Sequence, residues 1–179
     1  MQFSKGKASS DVVRDVLDAL QYDFNEFELT HFANHIADHR RKPIAIISLA
    51  MTSTLHGIWI PAQTHDYIFC NALLQPVHRT HVVLHELAHL MLGHGLQPIR
   101  EVLPPSLIQE LGGENTLGRL RAAPTNDAHA DDEERESERF VYLIQRKLVR
   151  VNRLAELTRE SSSIPGLKPI TDAMGYTGK

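Results

Sequence analysis

The segment HVVLHELAHLMLGH, residues 81–94, places four histidines and a glutamate within an apolar run. Burying such ionisable side chains in a helix is costly unless another group satisfies them. His85 and His89 are four residues apart, so both imidazoles lie on one helix face and can bind one ion, for which zinc is favoured. Glu86, about 100° further round the helix, can accept a proton from a water that the metal activates. The segment therefore predicts metal-dependent hydrolysis.

A catalytic zinc site usually has a third protein ligand. The segment EERESERFVYLIQRKL, residues 133–148, offers several carboxylates on a predicted helix. Its apolar stripe places Glu134 on the inward side as the predicted third ligand. Glu138, one turn later, is predicted to hydrogen-bond a ligand imidazole. Glu136 is expected to point away from the core, and Glu133 and His129 remain alternatives for the third ligand.

Two further histidines flank the motif. His81 lies one turn before His85 and is expected to donate to carbonyl groups or water rather than bind the metal. His94 follows the helix and is expected to interact with the dipole at its C-terminal end. The alternative for the whole motif is structural, with histidines that hydrogen-bond to the backbone or to each other.

The elements that must position these residues can be read from hydrophobic periodicity. One helix follows a cap at Ser9 or Ser10, and a second begins at Asn25, with Glu28 placed as in a capping box. The β-branched and aromatic segments 43–50, 57–62 and 66–74 predict three strands with short connections. The catalytic helix runs from Pro76 to about residue 92, a short helix covers 106–111, and a long helix runs from Asp132 to about 160.

These elements predict an α+β fold. A small three-stranded antiparallel sheet would pack with the HExxH helix and with the long C-terminal helix that bears the glutamates. The organisation would be an N-terminal helical extension at 1–25, a main domain at 26–160 and a loosely ordered tail at 161–179.

Composition limits the class of function. The chain has 179 residues, 42% of them hydrophobic, and a net charge of -3, which gives no reason to expect nucleic-acid binding. One cysteine, Cys70, excludes an internal disulfide and a cysteine-rich zinc site. Without a signal peptide or an apolar run of transmembrane length, a cytoplasmic protein without a membrane partner is expected.

Over residues 26–150 the chain resembles the ImmA/IrrE-type metallopeptidases of bacteria and their mobile elements. PVHRTHVVLHELAHLMLGH resembles the family's basic residue, spacer and HELGH-type helix, and ERESERFVYLIQRKL resembles its later E-x-x-A-[DN]-x-F-A-x-x-L helix. Glu134 then stands at the ligand position and Phe140 at the aromatic one. Ser137, Glu138 and Val141 depart from the pattern but preserve the helix and its inward glutamate.

The resemblance implies a zincin-like domain at 26–160 and a cytoplasmic zinc endopeptidase of narrow specificity. Such enzymes typically cleave a helix-turn-helix repressor encoded beside them, which induces genes of a mobile element or a stress response. The alternative is a non-catalytic regulatory or toxin–antitoxin-type protein that uses the same scaffold, with or without zinc, to bind its partner uncut.

Overall fold

The computed structural model describes residues 9–52, 54–99, 103–120 and 128–163. In chain order the elements are α1 (Ser9–Ala19), α2 (Leu29–Arg40), β1 (Ile44–Leu49), β2 (Gly57–Pro61), β3 (Asp66–Asn71), α3 (Pro76–Leu92), β4 (Gln97–Pro98), α4 (Pro105–Leu111), β5 (Leu117–Leu120) and α5 (Ala128–Ser163), with 3-10 turns at Phe24–Glu26 and Gly113–Asn115. The fold is α+β, as the sequence predicts. Within the described residues no helix is both long and apolar enough to cross a membrane.

The prediction of a three-stranded antiparallel sheet is wrong in strand number and in direction. The described strands form one mixed sheet of five, in the order β1-β3-β2-β5-β4. β2 and β3 form the expected antiparallel hairpin, but β1 pairs with β3 in parallel, and β5 pairs antiparallel with β2 and β4. β1 can reach β3 in parallel because the chain passes through β2 first, which provides the crossover that a parallel pair requires.

The apolar strand segments are explained by burial on both faces of the sheet. Trp59 and Ile68 face a large core shared with α1, α2, α3 and α5. Ile58, Ile60 and Phe69, at the alternate positions, face a second core that includes α4. A strand covered on both sides loses the alternation of polar and apolar residues, so residues 57–61 and 66–71 are nearly all buried.

The helix that bears the HExxH motif has the predicted bounds. Pro76 stands in its first turn, where a missing backbone N–H costs nothing. Gly93 ends it with φ at 69°, a left-handed conformation that favours glycine. The residues from Val82 to Leu90 are all buried. α3 is therefore a central core helix, and its polar side chains must find partners inside the protein.

Three helix limits differ from the prediction. α2 begins at Leu29 rather than Asn25, because Glu28 is itself the N-cap, accepting hydrogen bonds from the Thr30 and His31 amides. α5 begins at Ala128, before Asp132, and continues to Ser163, into the predicted tail. The rest of that tail, 164–179, lies outside the described residues. α1, in the predicted N-terminal extension, contributes Val13 and Leu17 to the same core as α3.

A buried charge cluster ties α2 to the hairpin. Asp66 at the start of β3 is fully buried and lies 2.9 Å from Lys42 Nζ and 3.3 Å from Arg40 Nη2. The Trp59 indole N–H also donates to it, at 3.4 Å. The carboxylate thus joins the end of α2, β2 and β3. A buried charge is tolerated when it is paired and hydrogen-bonded in this way.

Removing the charge of Asp66 is expected to destabilise the fold. Asp66→Asn should lower the free energy of unfolding by about 2 kcal/mol, less than for a fully buried pair because both cations are partly exposed. Urea unfolding measures the change. Asp38→Asn, at an exposed position of α2, is the control and should stay within about 0.5 kcal/mol of wild type. Equal effects of the two substitutions would contradict the role assigned to Asp66.

Candidate metal centre

The two predicted ligand histidines face each other inside the protein. His85 and His89 are both completely buried on α3. Their Nε2 atoms are 3.0 Å apart, and their ring centroids are separated by 4.7 Å. The four-residue spacing therefore brings one nitrogen of each imidazole to the same point.

Glu134 reaches this point from α5. Its carboxylate oxygens lie 3.0 Å from His85 Nε2 and 3.4 Å from His89 Nε2. The side chain of Glu134 is 37% exposed, whereas those of the two histidines are 1% and 0% exposed. The group therefore has a closed side formed by α3 and an open side next to the glutamate.

These three side chains could hold a metal ion. One potential ligand atom from each lies within 4.8 Å of the other two. Two imidazole nitrogens and one carboxylate oxygen form a donor set that is typical of catalytic zinc, in which three protein ligands leave a further position open. The donor chemistry therefore fits a metal ion, and the open side next to Glu134 would give such an ion access to solvent.

Arg119 of β5 binds the glutamates beside this group, a role that sequence reasoning missed. Its guanidinium donates to Glu134 Oε1 at 2.8 Å and to Glu133 Oε2 at 2.6 Å. Burial raises the pKa of the Glu134 carboxyl, but its contacts with His85, His89 and Arg119 lower it by more, so the pKa lies well below its usual range. Glu134 is therefore a charged carboxylate at neutral pH.

The alternatives for the third ligand have different positions. Glu133 accepts hydrogen bonds from Arg119 and from the Gly95 amide, at 2.6 and 3.0 Å. Both of its carboxylate oxygens therefore already have donors. His129 lies in the first turn of α5, and its side chain is outside the described part of the structure. Of the two glutamates, Glu134 is the one brought to His85 and His89.

Glu138 lies one turn after Glu134, beside the other nitrogen of His85. Its Oε1 is 3.2 Å from His85 Nδ1, and its Oε2 is 3.4 Å from His81 Nε2. This is the position that the sequence predicts for a carboxylate that orients a ligand imidazole. His81, His85 and Glu138 also form a second group that could hold a metal, but it shares His85 with the first and is more exposed.

The expectation for Glu136 is wrong, and His94 makes side-chain contacts that the sequence did not predict. Glu136 does not point away from the core: its Oε2 lies 3.1 Å from His94 Nε2. His94 is buried, and its Nδ1 lies 2.8 Å from Nδ1 of His89. The αL turn at Gly93 folds His94 back under the end of α3, so it meets His89 rather than solvent. Helical periodicity ends at Gly93, so the sequence held no signal for this contact.

Glu86 is completely buried on the side of α3 that faces the sheet. A Cβ atom at Gly57 of β2 would stand 2.7 Å from Glu86 Oε1 and 2.5 Å from Val82 Cγ1. The absence of a side chain at residue 57 therefore provides the space for the Glu86 carboxyl. Glu86 is next to His85 in sequence, and its side chain leaves the helix to one side of the two imidazoles.

Burial keeps two histidines neutral. Desolvation lowers the pKa of His89 from 6.5 to about 4, against the opposing effect of the Glu134 carboxylate. Burial also lowers the pKa of His94, against the opposing effect of Glu136. Each histidine therefore keeps one unprotonated ring nitrogen at neutral pH, as a metal ligand must.

These shifts predict a pH dependence of the metal-free protein. Between about pH 6.5 and pH 4 the unfolded chain binds more protons than the folded chain, so stability decreases as the pH falls through this range. The titration of His89 alone should lower the free energy of unfolding by up to ~3 kcal/mol over this range. Urea unfolding in a chelator at pH 7, 5.5 and 4.5 measures it.

The control for this prediction is His89→Gln, which cannot titrate. Its free energy of unfolding should decrease less over the same pH range, and the remaining slope belongs to His94 and to carboxyl groups with a lowered pKa, such as Glu134. An identical slope in wild type and variant would contradict the burial assigned to His89.

Comparisons with family models, curated proteins and solved structures found no match to this chain. The resemblance to ImmA/IrrE-type metallopeptidases therefore rests on the sequence motifs. The capacity of His85, His89 and Glu134 to hold a metal rests on their burial and distances.

Proposed function

We propose that this protein is a zinc-dependent endopeptidase of narrow specificity. The observation that carries the proposal is the convergence of His85, His89 and Glu134 from two distant parts of the chain. Glu86, buried and adjacent to His85 in sequence, completes the HExxH motif. Zinc is the proposed metal because two imidazoles and one carboxylate match its preferred catalytic ligands. HExxH on a helix is the arrangement in which the glutamate between the histidines is the general base.

Each residue of the proposed site has its own role in hydrolysis. When bound, zinc supplies Lewis-acid chemistry, which acidifies water and polarises a peptide carbonyl. Glu86 accepts the proton of the attacking water and returns it to the leaving amine. Arg119 and Glu138 hold Glu134 and His85 in place, and the buried face of α3 excludes bulk water from one side.

A cavity beside the metal group supports the proposal that the substrate is a peptide. It has a volume of about 500 Å³ and opens beside the N-terminal half of α3. His81, which lines it, also contacts Glu138, so the cavity adjoins the metal group. A side chain of the bound peptide would occupy it. The lining residues are His56, Leu74, His78, His81 and Val82.

The proposed substrate is a helix-turn-helix regulator encoded near this protein, whose cleavage would induce a mobile-element or stress-response regulon. This part of the proposal follows from the resemblance to the ImmA/IrrE-type family. Cleavage of a cytoplasmic regulator requires neither a membrane nor direct nucleic-acid binding by the peptidase.

Loss of Glu134 should remove metal. Glu134→Ala deletes one of three protein ligands, so zinc content after dialysis at pH 7 should fall strongly, by about tenfold or more relative to wild type. Metal analysis of the purified proteins measures it. Asp132→Ala, a carboxylate of the same helix that is 62% exposed, is the matched control and should retain zinc. Equal zinc in both variants would exclude Glu134 as a ligand.

Loss of the carboxylate of Glu86 should separate metal binding from catalysis. Glu86→Gln should keep zinc but lose at least about a hundredfold in turnover, because an amide cannot accept the proton. Co-expression with the regulator encoded beside the gene, followed by mass spectrometry of that regulator, measures cleavage. Glu110→Gln, at an exposed position of α4, is the matched control.

The same experiment tests the rival function. A metal-dependent cleavage product with wild type and Glu110→Gln, absent with Glu86→Gln, supports the peptidase. A stable complex in which the regulator stays intact with all three proteins would instead identify a binding protein. Equal cleavage by wild type and Glu86→Gln would remove Glu86 from the mechanism.

A further inference from the structure

A chain of hydrogen bonds extends from His89 away from the metal group. Nδ1 of His89 lies 2.8 Å from Nδ1 of His94, and Nε2 of His94 lies 3.1 Å from Oε2 of Glu136. Both imidazoles are buried, and the Glu136 side chain is 23% exposed. The proposed function uses none of the groups beyond His89.

The direction of these hydrogen bonds follows from the carboxylate at the end. An ionised carboxylate accepts hydrogen bonds and donates none, so the proton of a neutral His94 must be on Nε2. Nδ1 of His94 then carries a lone pair. The 2.8 Å contact with His89 is a hydrogen bond when Nδ1 of His89 carries its proton and donates. Nε2 of His89 is then left with its lone pair. The Glu134 carboxylate competes only weakly for the proton of His89, because it lies 3.4 Å from Nε2 and the same oxygen accepts from Arg119 at 2.8 Å.

Ser137 supplies an acceptor for the proton between the two imidazoles. Its hydroxyl donates to the Glu133 carbonyl oxygen at 3.0 Å, so its single proton is used. Its oxygen lies 3.3 Å from Nδ1 of His89 and 3.3 Å from Nδ1 of His94, so it accepts from whichever of these two nitrogens carries the proton. The direction of the chain is therefore set by Glu136.

We propose that His94 and Glu136 are positioning residues that fix His89 as the Nδ1–H tautomer, with the Nε2 lone pair directed at the metal. The inference rests on the proposed zinc site for its purpose, but the tautomer exists in the metal-free protein. At His85 a carboxylate lies beside each nitrogen, Glu138 at 3.2 Å from Nδ1 and Glu134 at 3.0 Å from Nε2. Of the two histidines, His89 is therefore the one whose tautomer this hydrogen-bond chain fixes.

Nitrogen NMR of the metal-free protein tests the tautomer directly. Protein labelled with ¹⁵N-histidine, kept in a chelator at pH 7.5, is examined by long-range ¹H–¹⁵N correlation, with His89 and His94 assigned from single substitutions. His89 is expected to carry its proton on Nδ1 and His94 on Nε2. A proton on Nε2 of His89, or a mixture of both tautomers, would overturn the proposal.

The variant Glu136→Gln tests the role of the carboxylate. An amide presents both a donor and an acceptor, so it no longer orders the chain, and His89 should become a mixture of tautomers. Zinc should bind about 10- to 100-fold more weakly, as is usual when a partner of a ligand histidine is lost. Glu156→Gln, at an exposed position of the same helix, should leave the His89 tautomer and the zinc affinity unchanged. Glu136→Asp, which keeps the carboxylate, should retain part of the wild-type tautomer population and part of the zinc affinity.

The readouts separate this inference from the proposed function. The expected tautomers in a wild-type protein that fails to bind zinc would support the hydrogen-bond chain and reject the zinc site. Tight zinc binding by a wild-type protein in which His89 is a mixture of tautomers would support the zinc site and reject the hydrogen-bond chain. If Glu136→Gln lowered the melting temperature but left the His89 tautomer unchanged, Glu136 would have a structural role alone, and the proposal would fail.

Discussion

The close packing of α5 on α3 is the constraint on which the candidate metal centre depends. Ser137 lies fully buried at this contact and touches His89 through its hydroxyl. A larger side chain at this position would push α5 away from α3 and take Glu134 out of reach of the two imidazoles. Phe140 and Ile144, one and two turns later, are completely buried in the same core. The apolar contacts of α5 therefore hold its first polar turns in place.

Burial of the histidines is a second constraint on the site, because imidazoles in a core need hydrogen-bond partners. Those partners come mostly from α5, whose carboxylates reach all four histidines of the segment 81–94. Several like charges so close together repel each other. Arg119 offsets part of this repulsion at Glu133 and Glu134, and a cation between His85, His89 and Glu134 would offset more.

The sheet supports the site from the other side. β2 lies against α3 where Gly57 leaves space for Glu86, and β5 extends the sheet from β2 so that Arg119 reaches the glutamates of α5. Gly118 allows the strands to lie close, since a Cβ there would stand 2.9 Å from the Trp59 carbonyl oxygen. The segment between α3 and α5 shows little hydrophobic periodicity in its sequence. It nevertheless supplies Arg119, which binds the glutamates of α5.

The sequence by itself determined the parts that depend on local spacing. The four-residue interval of His85 and His89, the limits of α3 at Pro76 and Gly93, and the inward stripe that includes Glu134 follow from helix geometry. The α+β class follows from the change of periodicity along the chain. The tertiary structure decided the parallel pairing of β1 with β3, the two short strands β4 and β5, and the contacts of Arg119, His94 and Glu136. These contacts join residues that local periodicity does not relate, and they arise because the packing of α5 and β5 around α3 brings them together.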